Sequence, residues 1–173
     1  MAAKNNHPMV NLPQLLDYFR QIPCHAVLRQ LREDVGPEIR HFEVDTVDAD
    51  VGKKFQGLTR DNLPVLGLIL PTAVSTSDDV DAVTERTTVV ITVLDKFDPQ
   101  RHGRDAVRVC IDTQPLIEAI KTAMINDKAA GCTLMSRLDL RSLSTMPETA
   151  VYGTLAGWSL GFSFETVDCP PGL

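Results

Sequence analysis

Gly157-Trp158-Ser159-Leu160-Gly161-Phe162-Ser163-Phe164 is the stretch that decides the fold. Trp158, Leu160, Phe162 and Phe164 fall on every second position, with Ser159, Gly161, Ser163 and Glu165 between them. Strand side chains point alternately to the two faces, so a period of two predicts a strand within 152–167, one face buried and one wet. Four large apolar side chains on one face call for a helix above them, each contributing roughly 1.5–3 kcal/mol on burial. An antiparallel neighbourhood follows.

Working outward, segment 133–143 reads as the partner strand, with Leu134, Leu138 and Leu140 inward. Before it, Leu116, Ile117, Ile120, Ala123 and Met124 form one stripe of a helix that packs flat on a sheet. Asp112 or Thr113 is its expected cap, Pro115 its first turn and Gly131 its exit, leaving 106–111 as a brief strand or a lead into the helix. Thr87, Thr88, Val89, Val90, Ile91, Thr92 and Val93 are nearly all β-branched and predict a central strand over 86–97. The apolar run 65–70 reads as a strand buried on both faces and closed by Pro71.

Segment 38–47 reads as a strand with a bulge or a late start, because Ile39, Phe42, Val44 and Val47 do not share a face. At the front, Asn11 is placed to cap a helix carrying Leu12, Leu15, Leu16, Phe19 and Ile22. Pro23 interrupts that helix, a further turn or two follows over 26–32, and Gly36-Pro37 ends it. The order α-β-β-β-α-β-β predicts an α+β fold: a mixed, largely antiparallel sheet with two helices packed on one face. A single domain over 11–168 is expected, between a flexible N-terminal tail, 1–10, and a short C-terminal tail, 169–173.

Composition narrows the function classes. The chain has 173 residues, 43% of them hydrophobic, which suits one domain with an ordinary core. Its 17 Lys and Arg are scattered among 23 Asp and Glu, for a net charge of -6, and that argues against a nucleic-acid grip. The opening residues lack the charged start and apolar run of a secretory signal, and no stretch has the length of a membrane span. A cytoplasmic or virion location is expected. Cys24, Cys110, Cys132 and Cys169 are widely spaced without a CxxC pair, which predicts reduced, mostly buried thiols.

Motifs for chemistry are incomplete. Gly52-Lys53-Lys54 lacks the upstream glycine and the hydroxyl of a phosphate loop. Gly157-Trp158-Ser159-Leu160-Gly161 has the letters of a nucleophile elbow, but Ser159 lies inside the alternating strand and no His follows it; a solvent-facing strand serine is expected. Asp95, Asp98, His102, Arg104 and Asp105 form the densest polar cluster, able in principle to hold a cation or exchange protons. Lys96, Arg101 and Arg104 oppose a cation there, and a charged connection has the same composition.

Cys24-His25 reads as a buried Cys beside a helix break, His7 lies in the tail and His41 on a strand, and no two His share a metal-ligand spacing. The acidic stretch from Ser75 to Glu85, with Asp78, Asp79 and Asp81, lacks the glycine of a calcium loop and reads as solvated. The polar stretch 48–62 reads as an exposed loop. No catalytic, cofactor-binding or metal residue is assigned.

The helix over 11–32, the strands near Glu38, Val65 and Thr87, the crossing helix 113–126 and the closing strands 133–167 follow the plan of a known family. In that order, and in the aromatic strand Trp158 to Phe164, the chain resembles the tail-terminator and tail-completion proteins of long-tailed bacteriophages. The resemblance implies a homo-oligomeric ring, often a hexamer, that caps the tail tube and meets other tail or neck proteins. It implies no enzyme activity and no cofactor. A non-catalytic binding or adaptor module, and a small enzyme built on the Asp95 to Asp105 cluster, are the alternative readings.

Overall fold

The structure is a computed structural model and describes residues 10–45, 55, 57–75, 84–101 and 104–167. Asn11 opens α1, Leu12–Gln21, its side chain accepting from the Gln14 N–H at 3.3 Å. Pro23 sits in a 3₁₀ turn, Ile22–Cys24, that bends the chain into α2, Ala26–Val35. Gly36, at φ 92°, ends α2, a conformation that glycine adopts without the clash a Cβ brings.

Among the described residues five strands follow: β1 His41–Asp45, β2 Val65–Ser75, β3 Thr84–Lys96, β4 Leu138–Val151 and β5 Leu155–Val167. Between β3 and β4 runs the long helix α3, Arg104–Ala129. The sheet order is β1-β2-β3-β5-β4, with β1 parallel to β2 and every other pair antiparallel. This is the α+β fold expected, and β3 is the middle strand.

One face of the sheet carries the main core. Leu66 and Leu68 of β2, Val89, Ile91 and Val93 of β3, and Leu160, Phe162 and Phe164 of β5 are buried with Leu15, Phe19, Leu28, Leu116, Ile117 and Ile120. Phe162 lies between two rings, 5.8 Å from Phe19 and 5.6 Å from Phe164. The alternation of β5 thus works as read on its aromatic side.

Its other side differs from expectation. Ser159 is 6% exposed and Ser163 3%, because β5 lies between β3 and β4 and their side chains flank such small ones. Ser159 donates to Glu148 Oε1 at 2.8 Å. Gly157 is required for packing: a Cβ there would collide with the Val93 carbonyl oxygen.

Four further readings are corrected. The helix does not start at Asp112 or Thr113 but at Arg104, and Pro115 lies within it. A proline removes one N–H, the one that would bond the carbonyl four residues back, here that of Ile111, a residue 63% exposed; side chains donate to the two carbonyls just before it. Thr113 Oγ1 donates to Val109 O at 2.7 Å, and Trp158 Nε1 donates to Cys110 O at 2.6 Å. Ala106 and Cys110 also pack on Ala156, anchoring the early turns to the sheet.

Pro71 does not close β2, which continues to Ser75 through a register shift between Ile69 and Thr72. Leu140 is 46% exposed, since the register shift between Asp139 and Ser144 changes the phase of β4, while Leu138 is buried. Within the polar stretch 48–62, Phe55 is buried and stacks on Tyr152 at 5.3 Å, covering Gly67 on the second face with Leu63, Val65, Leu94 and Leu155. No described helix is long and apolar enough to cross a membrane.

Candidate functional site

The sheet is not equally wide along its length. Among the described residues, β1 pairs with β2 from His41 opposite Val65 to Asp45 opposite Ile69, and β4 joins β5 from Leu138 opposite Phe164. Past those rungs β2, β3 and β5 are the described strands that continue, with Val74 opposite Arg86, Arg86 opposite Glu165 and Thr84 opposite Val167. They form a three-stranded tongue. Thr72, Ala73 and Val74 are exposed in succession, Val74 at 62%. Consecutive strand residues face opposite ways, so the outer strand is bare on both faces.

The tongue is braced by charge rather than by a core. Arg86 donates to Glu165 Oε1 at 2.6 Å and lies 3.9 Å from Asp139. The hydrogen bond and charge of Glu165 hold the Arg86 guanidinium above its ordinary pKa. Exposed pairs of this kind contribute little to stability.

A second surface feature lies at the other end of the strands, on the β1 edge. Arg20, Pro23, Ile39, Arg40, His41 and Phe42 line an open groove of about 380 Å³ between the end of α1 and β1. β1 is an edge strand, and no described strand pairs with its outer side. The Arg20 guanidinium lies over the Phe42 ring, 5.8 Å from its centre. Acidic neighbours sit outside the lining: Asp17 2.8 Å from Arg20, Glu38 3.9 Å from Arg40 and 3.5 Å from Arg32, and Glu43 3.4 Å from His41.

The cluster from Asp95 to Asp105 is a loop closure in its described part. Asp105 Oδ2 accepts from the Asp98 N–H at 2.7 Å, and Asp98 Oδ1 accepts from the Gln100 N–H at 2.9 Å. Asp95, on β3, accepts from the Lys96 N–H at 2.7 Å, and burial pushes its carboxyl pKa up. His102 lies outside the described residues, as do His7, Gly52-Lys53-Lys54, Asp78, Asp79, Asp81 and Cys169. Among the described residues no three His, Cys, Asp or Glu side chains converge as metal ligands.

Sequence reading missed a polar network below α1. Tyr18 Oη donates to Asp127 Oδ2 at 2.8 Å, and His25 Nε2 lies 3.3 Å from Asp127 Oδ1. The Val27 N–H donates to His25 Nδ1 at 3.2 Å, so the neutral ring carries its proton on Nε2 and donates to Asp127. His25 thereby caps α2 and ties it to the end of α3. Burial first, then the Asp127 carboxylate, push the Tyr18 pKa well up. Cys24, expected to be buried, is exposed, because the 3₁₀ turn points it outward while His25 takes the inner position. The only sequence signal for this network is a polar Tyr on the apolar face of α1.

No protein-family model matches the chain, and no curated protein matches it in sequence. Among the described residues, the surface features set out above are the tongue and the edge groove. Cys110, the one buried thiol described, is occupied: it donates to Gly157 O at 3.3 Å, and burial raises its pKa.

Proposed function

We propose that the protein is a non-catalytic assembly subunit that forms a homo-oligomeric ring, of the kind that terminates the tail tube of a long-tailed phage. The observation that carries this reading is the three-stranded tongue, whose outer strand is exposed on both faces at Thr72, Ala73 and Val74. An outer strand exposed on both faces contributes little apolar burial within the monomer. Such an extension is useful where a second chain packs against it.

The chain's other features are compatible with that use. β1 is an edge with no described strand on its outer side, and its groove lies at the end of the strands away from the tongue, so each subunit offers two different surfaces. Two unlike surfaces joined head to tail close into a ring when the rotation per subunit divides a full turn. Tyr18, Asp127 and His25 serve this reading as a brace that fixes α1 and α2 over the sheet, and need no chemical role.

Sedimentation velocity of the full chain, alone and with a tail-tube protein, tests the proposal. A single closed oligomer, or one formed on the end of the tube, is expected. A monomer at high concentration that also leaves tube ends uncapped contradicts it.

A further inference from the structure

The polar network below α1 contains one hydrogen bond that a single proton abolishes. His25 stands at the entry of α2, where its Nδ1 accepts from the Val27 N–H at 3.2 Å and its backbone carbonyl accepts from the Arg29 N–H at 3.0 Å. A side-chain acceptor at this position takes up one of the N–H groups that the start of a helix leaves without a partner. The usual capping residues, Ser, Thr, Asn and Asp, accept through an oxygen. Histidine caps through a ring nitrogen, which accepts only while it carries no proton. Histidine is also the side chain that changes charge within the physiological pH range.

The surroundings decide which contact gives way. Across the imidazole, Nε2 faces Asp127 Oδ1 of α3 at 3.3 Å, and Asp127 Oδ2 takes the Tyr18 hydroxyl of α1 at 2.8 Å. Cys132, beyond the end of α3, acts on Tyr18, while Lys128, next to Asp127 in the chain, donates to the Ser136 carbonyl at 2.7 Å. Cys24, just before His25, is exposed. An imidazolium keeps its bond to Asp127 and strengthens it, because both partners are then charged. At Nδ1 it meets the Val27 N–H donor to donor. Its positive charge also falls at the N-terminal end of α2, where the helix dipole opposes it, and no acidic residue of the first turn offsets it. The imidazole therefore stays with α3, and the start of α2 lets go.

We infer that His25 is a pH-operated latch: neutral, it fastens the start of α2 to the end of α3, and protonated, it holds Asp127 alone and releases the first turn of α2. The step needs only a proton from solvent, placed on Nδ1. The His25 N–H donates to Ile22 O at 2.9 Å and closes the turn that contains Pro23, so the end of α2 that loosens is the one bordering the edge groove. The latch acts within one chain and does not depend on the assembly reading above.

NMR of the full chain from about pH 8 to about pH 5 tests it. The nitrogen shifts of the His25 imidazole follow its protonation, and amide exchange, corrected for its intrinsic pH dependence, follows the Val27 and Arg29 N–H groups. A roughly fivefold loss of protection at both, the size a helix cap ordinarily carries, is expected with the same midpoint as the imidazole titration, while Ile120 in the middle of α3 is unaffected. His25→Asn keeps a capping oxygen that does not titrate, so its Val27 and Arg29 protection is expected to stay level across the same range. An imidazole that stays neutral throughout, protection that holds while it titrates, or an Asn variant that loses protection as the wild type does overturns the latch. Should circular dichroism show the Asn variant unfolded, the wild type decides, with coincident midpoints supporting the latch and separate ones overturning it.

Discussion

The two ends of β3 and β5 share the same strands and the same pairing, yet they are built for different ends. From Val89 to Val93 and from Leu160 to Phe164, every second side chain is buried under α1 and α3. Beyond Thr87 and Phe164 the same strands carry Arg86 and Glu165, joined by one exposed ion pair and flanked by Val74. Backbone pairing is continuous across both halves, so it does not distinguish them. Apolar burial does, and the first half holds the fold while the second leaves its surface exposed.

The comparison predicts unequal costs. Phe162→Ala removes a ring packed between Phe19 and Phe164, and is expected to lower unfolding free energy by about 3–5 kcal/mol in urea titration. A loss below about 1 kcal/mol would show that the core half is not where stability resides.

Tyr18→Phe removes a hydrogen bond to a carboxylate and is expected to cost about 1.5–3 kcal/mol near neutral pH. Its pH dependence sharpens the point. The Tyr18 pKa is raised in the folded state, so its contribution is full below pH 10, where the unfolded tyrosine is also neutral, and is lost as pH rises above it. The wild type should lose stability relative to Tyr18→Phe above pH 10, by up to about 1.4 kcal/mol per pH unit. Parallel profiles would place the Tyr18 hydroxyl outside the brace.

Trp158→Phe keeps a ring but withdraws the donor to Cys110 O near Pro115. An expected loss of about 1 kcal/mol, with faster amide exchange in α3 around Cys110, would mark Trp158 as the tie between the early turns of α3 and the sheet. Unchanged exchange would leave that tie to the packing of Ala106 and Cys110 on Ala156. Smallest in stability is Val74→Lys in the tongue, expected within about 0.5 kcal/mol of wild type.

The same contrast explains what was legible in the sequence. Trp158, Leu160, Phe162 and Phe164 announce their strand because burial imposes a strict period, and Leu116, Ile117 and Ile120 announce their helix for the same reason. α3 was read too short because Pro115 is a start signal locally, while the group that ties the preceding turns to the sheet sits on Trp158, more than forty residues away. Pro71 misled in the same way, since a register shift on one strand lets β2 continue. Leu140 turned outward through a bulge no alternation encodes.

The recognition surfaces were less legible still. Exposure has no period, and the groove joins Arg20 and Pro23 to Arg40, His41 and Phe42 only through the packing of α1 on the sheet edge. The tongue follows from where the described pairing of β1 and of β4 ends, a relation among four strands rather than a property of one.

The most direct test is a native mass spectrum of the full wild-type chain beside Val74→Lys at the same concentration. The account predicts one closed ring stoichiometry for the wild type, and loss of that ring for the variant with its urea midpoint unchanged. A wild-type monomer, or a variant that assembles as the wild type does, contradicts the claim that the tongue is an assembly surface.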